Sequence, residues 1–257
     1  LGDVYKRQDY CLGLYNLQAA YSGRGLVIQG MLCRRTDGTS LPSLSLPDRY
    51  LPFSSIGKSF AENNICEMGY AVSKIYARSI IEEFSIRFDE NIHCLEDLLF
   101  MYQYLLHCDY LVLNHMQNYV YVKHSFSLSH RIHSFESEYC CFVKYQQLLA
   151  EMMKVWKIPA GDMVVTVNSM LVPFRRALKS DYQPDRTIPR EMRVKHLKRM
   201  ISESRDVFLK YYHPVFKTDK LGKVLLGFNC YILYDFYIRL LFRLNIGPVF
   251  YGPKHMY

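Results

Sequence analysis

Glu96 and Asp97 open a stretch, Leu95 to His107, in which Leu98, Met101, Tyr102, Leu105 and Leu106 recur on one face of a helix. Acids in the first turn of a well-packed helix are held rigidly, lie near free backbone N–H groups and can open onto a cleft. From there one carboxylate can take the proton of an attacking hydroxyl. The same placement also complements the helix dipole, worth about 0.3–1 kcal/mol per acid, and a bare Glu-Asp pair fits that structural role better. Two further side chains stand out. Lys74 can neutralise an anionic ligand, and His124 directly follows the Tyr- and Val-rich run Tyr119 to Lys123. Each reads equally well as a solvated side chain.

The elements that must position these residues are legible in outline. Tyr10 to Tyr21 predicts a short helix, Leu26 to Leu32 a strand, and Leu41 to Pro52, with three prolines and several serines, a loop. Arg78 to Phe84 predicts one or two helical turns, and Tyr110 to Asn114 and Asn118 to Lys123 predict two strands. Beyond Ser129 the strand signal stops. Phe135 to Trp156, Asp162 to Leu178, Arg190 to Tyr212 and Lys220 to Leu244 predict helices separated by prolines. The expected architecture is an α/β region over 9–131 followed by an all-helical region over 132–257. Leu1 to Gln8 (LGDVYKRQ) resembles a translated linker scar, so 1–8 is set aside as an artefact.

Between Gly69 and Ser129 several motifs follow in a fixed order. They are Lys74-Ile75-Tyr76 with Arg78-Ser79, Ile86-Arg87-Phe88-Asp89-Glu90, Glu96-Asp97-Leu98-Leu99-Phe100, and Tyr119-Val120-Tyr121-Val122-Lys123-His124-Ser125-Phe126-Ser127-Leu128-Ser129. In that order the segment resembles the second half of a family 2 glycosyltransferase of the GT-A fold, a Rossmann-like mixed sheet, of the type that builds bacterial capsule, lipopolysaccharide and exopolysaccharide. The resemblance covers about 60 residues and shifts the balance at Glu96-Asp97 toward chemistry. It implies inverting transfer of a sugar from a nucleotide-sugar donor to a glycan or lipid-linked acceptor. It implies Asp97 as the base, Glu96 as the group orienting the acceptor, Lys74 as a substrate contact, and His124 near metal or diphosphate. It also implies Mg²⁺ or Mn²⁺ held by a D-x-D motif. No D-x-D occurs here; Asp9-Tyr10 reads as the last remnant of one, and Val122 stands where the family commonly has Arg. The expectation is therefore a fragment that lacks its donor-binding half and is inactive alone.

The composition bounds the partners. With half of its residues hydrophobic and 22% charged, the chain can bury a core. A net charge of +8, with Lys and Arg crowded from Arg175 to Arg205, suits an anionic partner. No nucleic-acid recognition motif accompanies it, so no nucleic acid is expected. The eight cysteines form no C-x-x-C pair and fit reduced thiols in a cytosol. The apolar run from Lys220 to Leu244 contains Asn229 and Asp235, which argues against a membrane span and leaves an in-plane membrane helix, a dimer contact or a core helix. The expected location is cytoplasmic, peripheral on the inner membrane face. The competing reading is a non-catalytic basic helical adaptor for an anionic membrane surface or partner.

Overall fold

The computed structural model of the protein describes residues 5–6, 10–21, 23–62, 65, 68–124, 131–158, 171–182, 187–211, 213–214, 216–244 and 246. The chain divides into two compact units. The first comprises 1–89, 96–131 and 154–157, and the second 90–95, 132–153 and 158–257.

The first unit is built on two four-stranded mixed sheets. At the centre of one, β2 (Gly25–Gln29) runs parallel to β7 (Tyr110–Asn114), from Gly25 opposite Tyr110 to Gln29 opposite Asn114. Their sequences, GLVIQ and YLVLN, are near-continuous apolar runs, and every position of both strands is buried, as befits a parallel pair covered on both faces. β5 (Arg49–Pro52) and β6 (Lys74–Tyr76) flank them antiparallel. In the other sheet β3 (Met31–Arg35) runs parallel to β8 (Tyr119–Lys123), with β4 (Ser40–Leu44) and β1 (Tyr5–Lys6) as antiparallel edges. Helices α1 (Tyr10–Ala19), α2 (Phe53–Glu62), α3 (Arg78–Glu83) and α4 (Glu96–Leu105) complete this unit.

Two details depart from the sequence expectations. The single strand over Leu26 to Leu32 is two strands, because the chain leaves one sheet for the other at Gly30. The Gly30 N–H donates to the Asn114 carbonyl, and a Cβ there would lie 2.8 Å from the Leu44 oxygen. The loop expected over Leu41 to Pro52 carries β4 and β5. Both are edge strands, where a proline removes no obligatory ladder bond. Within 1–8, Tyr5 and Lys6 pair with Val120 and Tyr119 as an edge strand.

The second unit is helical: α5 (Phe135–Trp156, whose last residues belong to the first unit), α6 (Leu171–Tyr182), α7 (Arg190–Tyr211), α8 (Lys217–Gly227) and α9 (Tyr231–Arg243). Residues 159–170, within the helix expected from Asp162, lie outside the described residues. The long helix expected over Lys220 to Leu244 is broken between α8 and α9, where Asn229 takes the left-handed conformation (φ 57°) that Asn tolerates well. Two buried ion pairs organise the unit. Arg176 grips Glu138 through two bonds of 2.8 Å, and Arg193 grips Asp235 at 2.7 and 2.9 Å. The Tyr182 hydroxyl donates to the same Asp235 carboxylate at 2.8 Å. Burial alone would raise the Asp235 pKa, but the Arg193 and Tyr182 bonds outweigh it and hold it below the ordinary value.

Removing one partner of such a pair leaves a buried charge uncompensated, so Asp235→Ala is expected to cost about 3–5 kcal/mol. Urea unfolding followed by far-UV circular dichroism measures it. A loss under about 1 kcal/mol would mean that the pair does not hold this unit together.

Candidate active site

The site is assembled where the segment 68–73 meets the first turn of α4. Gly69 makes that approach possible, because a Cβ there would stand 2.6 Å from the Leu98 Cβ. Any larger residue would push the helix start away. The residues immediately before the two site charges, Ser73 before Lys74 and Leu95 before Glu96-Asp97, both have positive φ, at 57° and 67°. Such conformations cost about 1–3 kcal/mol and persist only where the surroundings enforce them. At Ser73 the enforcement is visible. Its N–H donates to the Tyr10 hydroxyl at 2.8 Å, its carbonyl accepts from Gln29 N–H at 2.9 Å, and its hydroxyl donates to the Gly30 carbonyl at 3.4 Å.

Asp97 is half-buried, with one carboxylate oxygen accepting from the Leu98 N–H at 2.8 Å. Burial chiefly, with the charge of Glu96 adding, pushes its pKa up to about 6, against the opposing pull of the Leu98 N–H and Lys74. Lys74 is 8% exposed; its ammonium donates to the carbonyls of Tyr70 and Val72 and lies 3.6 Å from the Tyr70 ring centroid. Burial pushes its pKa down to about 7, with Asp97 opposing. The two make no direct ion pair, yet each favours the other's charged form. Burial thus brings the titration of both groups close to neutral pH, the range in which a side chain can take or give a proton.

Sequence reasoning gave no role to Tyr70 or Tyr76. The Tyr70 hydroxyl is buried with no hydrogen-bond partner among the described residues. Tyr76 shares a face of β6 with Lys74, and its hydroxyl is held protonated, by burial first and then by the Asp97 charge. The two-residue period of Lys74-Ile75-Tyr76 was the signal for it.

The structure brings Glu96, Asp97 and Lys74 together. His124 follows β8 in the other sheet and has a buried Nε2 without a partner among the described residues. Arg34 of β3 stands beside Val122 in the parallel register, a basic residue next to the position where the sequence pattern lacks one. Asp9 lies outside the described residues. Among the described residues no three His, Cys, Asp or Glu side chains gather so as to hold a metal ion, and no disulfide joins the described cysteines.

No protein-family model matches the chain, and no curated protein does. Solved structures do. S. aureus TarS 1-349 in complex with UDP-GlcNAc aligns with a TM-score of 0.62 at 12% identity, over 95% of this chain and 66% of that one. Its UDP complex gives 0.62 and TarS 1-349 alone 0.59, both at 12% identity and over 95% of this chain and 65% of the other. The chain thus spans just under two thirds of those structures, and its mixed α/β architecture with a helical C-terminal region is the fold of TarS, a glycosyltransferase.

The coupling of Lys74 to Asp97 is measurable directly. In a carbon-13 NMR titration the Asp97 carboxyl is expected to titrate near 6. Because the Lys74 ammonium favours the carboxylate, Lys74→Met should move that midpoint higher. A midpoint at the ordinary value of about 4, or one that Lys74→Met leaves unmoved, would contradict this description of the site.

Proposed function

We propose that the protein carrying this chain is an inverting glycosyltransferase, moving a sugar from a nucleotide-sugar donor to a hydroxyl of a glycan or lipid-linked acceptor. The observation that carries the proposal is Asp97: a carboxylate in the first turn of α4, made unusually basic by burial and set just after a left-handed Leu95. The TarS fold supports the donor class. The printed titles of the TarS structures name UDP-GlcNAc and UDP, so UDP-sugars are the first donors to test.

In the proposed step the acceptor oxygen attacks the anomeric carbon as its proton passes to the free oxygen of Asp97, the other oxygen being engaged by the Leu98 N–H. The nucleoside diphosphate leaves from the opposite face with the bonding electron pair. A base near 6 is charged at neutral pH yet accepts a proton more readily than an ordinary carboxylate. Glu96 orients the acceptor beside it. Lys74, buried beside the Tyr70 ring, favours the charged carboxylate. Mg²⁺ or Mn²⁺ would neutralise the diphosphate in the full-length protein. The described residues do not assemble a site for it, and no part of the step at Asp97 passes through it. The adaptor reading would have Asp97 on a solvated outer face; its burial favours the enzyme.

In the full-length protein, Asp97→Asn should lower transfer by about 10²–10⁴-fold while donor binding persists. The melting temperature at pH 8 should not fall, since the substitution removes a desolvated charge. A variant keeping more than about half of the activity would sink the base assignment. The pH–rate profile follows from the same pKa: kcat/KM should rise through about pH 6 and level off above it as Asp97 ionises. A profile flat between pH 5 and 7 counts against the proposal.

A further inference from the structure

In the second unit, the segment 217–244 sorts its charges by sign. Its two acids turn inward: Asp219 meets Arg175 at 2.9 Å, and Asp235 meets Arg193. Every fully exposed charge on the segment is a cation, namely Lys217, Lys220, Arg239 and Arg243. Between them most of the exposed side chains are apolar. On α8, Leu221, Val224 and Phe228 share one side at helical spacing, and on α9 Ile232, Phe236 and Leu240 do the same. Phe228 and Phe236 are 77% and 64% exposed, an unusual loss of apolar burial for large rings. The corner joining the helices is rigid, since Arg205 donates to the Asn229 side chain and to the Gly227 carbonyl, both at 2.6 Å.

Beside this face, between α7 and α9, is a cavity of about 580 Å³. Arg190, Lys198 and Arg239 line its polar side together with Asp235, whose charge Arg193 already neutralises, and Ile232, Leu233 and Phe236 line its apolar side. None of the three cations makes an ion pair with a described residue. Three cations without a salt bridge, around a cavity that also has an apolar side, match an anionic headgroup attached to acyl chains, and Arg239 interacts only through space with the Arg193-paired Asp235. The absence of any exposed acid on the face matches a negatively charged surface. No helix among the described residues is long and apolar enough to cross a membrane, so the contact lies in the plane of the interface.

We propose that the α8–α9 face docks on an anionic phospholipid surface, with the Arg190–Lys198–Arg239 cavity taking a phosphate-bearing headgroup and Phe228 and Phe236 entering the acyl boundary. The proposal is independent of chemistry at Asp97.

Vesicle co-sedimentation of the full chain tests it. Phosphatidylcholine vesicles containing phosphatidylglycerol should bind the chain, phosphatidylcholine alone should not, and binding should weaken as salt shortens the Debye length. The triple variant Arg190→Ala, Lys198→Ala, Arg239→Ala should lower the partition coefficient roughly a hundredfold, at about one charge's worth of attraction per residue. Phe228→Ser with Phe236→Ser should also weaken binding. All five positions are exposed, so far-UV circular dichroism should stay unchanged, and Asp97→Asn should leave vesicle binding intact. Three results would overturn the proposal. One is no preference for phosphatidylglycerol, and another is a triple variant that binds as well as the parent. The third is lipid-free, concentration-dependent association abolished by the double Ser variant, which would assign the face to a second copy of the chain.

Discussion

The catalytic proposal depends on one buried hydroxyl. Tyr104, two turns beyond Glu96 on α4, is fully buried; its hydroxyl accepts from the Ala77 N–H at 2.8 Å and donates to the Gly25 carbonyl at 2.9 Å. Those bonds tie α4 at once to the end of β6 and the start of β2. The ring meets Tyr76 edge-on at 4.9 Å, which adds shape to the tie. Gly25 must lack a side chain there, since a Cβ would lie 2.0 Å from the Tyr110 ring. With the far end of α4 fixed in this way and Gly69 admitting Leu98 at the near end, the first turn has one position available to it. Losing the hydroxyl would strand a buried N–H and a buried carbonyl together, each costing about 1–3 kcal/mol.

Within that frame the fold holds two opposite charges in a partly desolvated site without joining them. Folded Asp97 holds its proton up to about pH 6, whereas the unfolded chain releases it near the ordinary value of about 4. Over that interval rising pH therefore weakens the fold. Folded Lys74 releases its proton near 7, well below the unfolded value of about 10, so rising pH strengthens the fold over that higher interval. The pair is consequently most destabilising between about 6 and 7, where both groups are charged or nearly so. Proteins tolerate such sites where activity depends on them. The left-handed Ser73 and Leu95, set directly before the two charges, point the same way.

Much of this was legible in the chain. The α4 pattern, the strand YLVLN, and the helices from Phe135 and Arg190 are strongly periodic or apolar segments, and the structure has them at nearly the expected bounds. The place of Asp97 in the first turn was legible because an acid pair opens such a helix. β4 and β5 were not, because prolines read as loop unless the strand is known to lie on an edge. The break at Asn229 was hidden inside an apolar run, where only a positive φ distinguishes one helix from two. The burial of Lys74 and the part of Tyr104 could not be read at all. The Tyr104 hydroxyl bonds join residues 27 and 79 positions apart, which no local pattern encodes, and burial of a lysine is not written in its own segment.

On the proposed reading, Asp97 at the start of α4 acts as the base of a single displacement, so the transfer inverts the anomeric centre. The anomeric configuration of the first-formed product, read by proton NMR from the coupling of the anomeric hydrogen in a reaction of the full-length protein with an α-linked UDP-sugar, tests that inversion most directly. A β-linked product is predicted. An α-linked product would mean a route through retention, and the assignment of Asp97 as the base of an inverting transfer would fall.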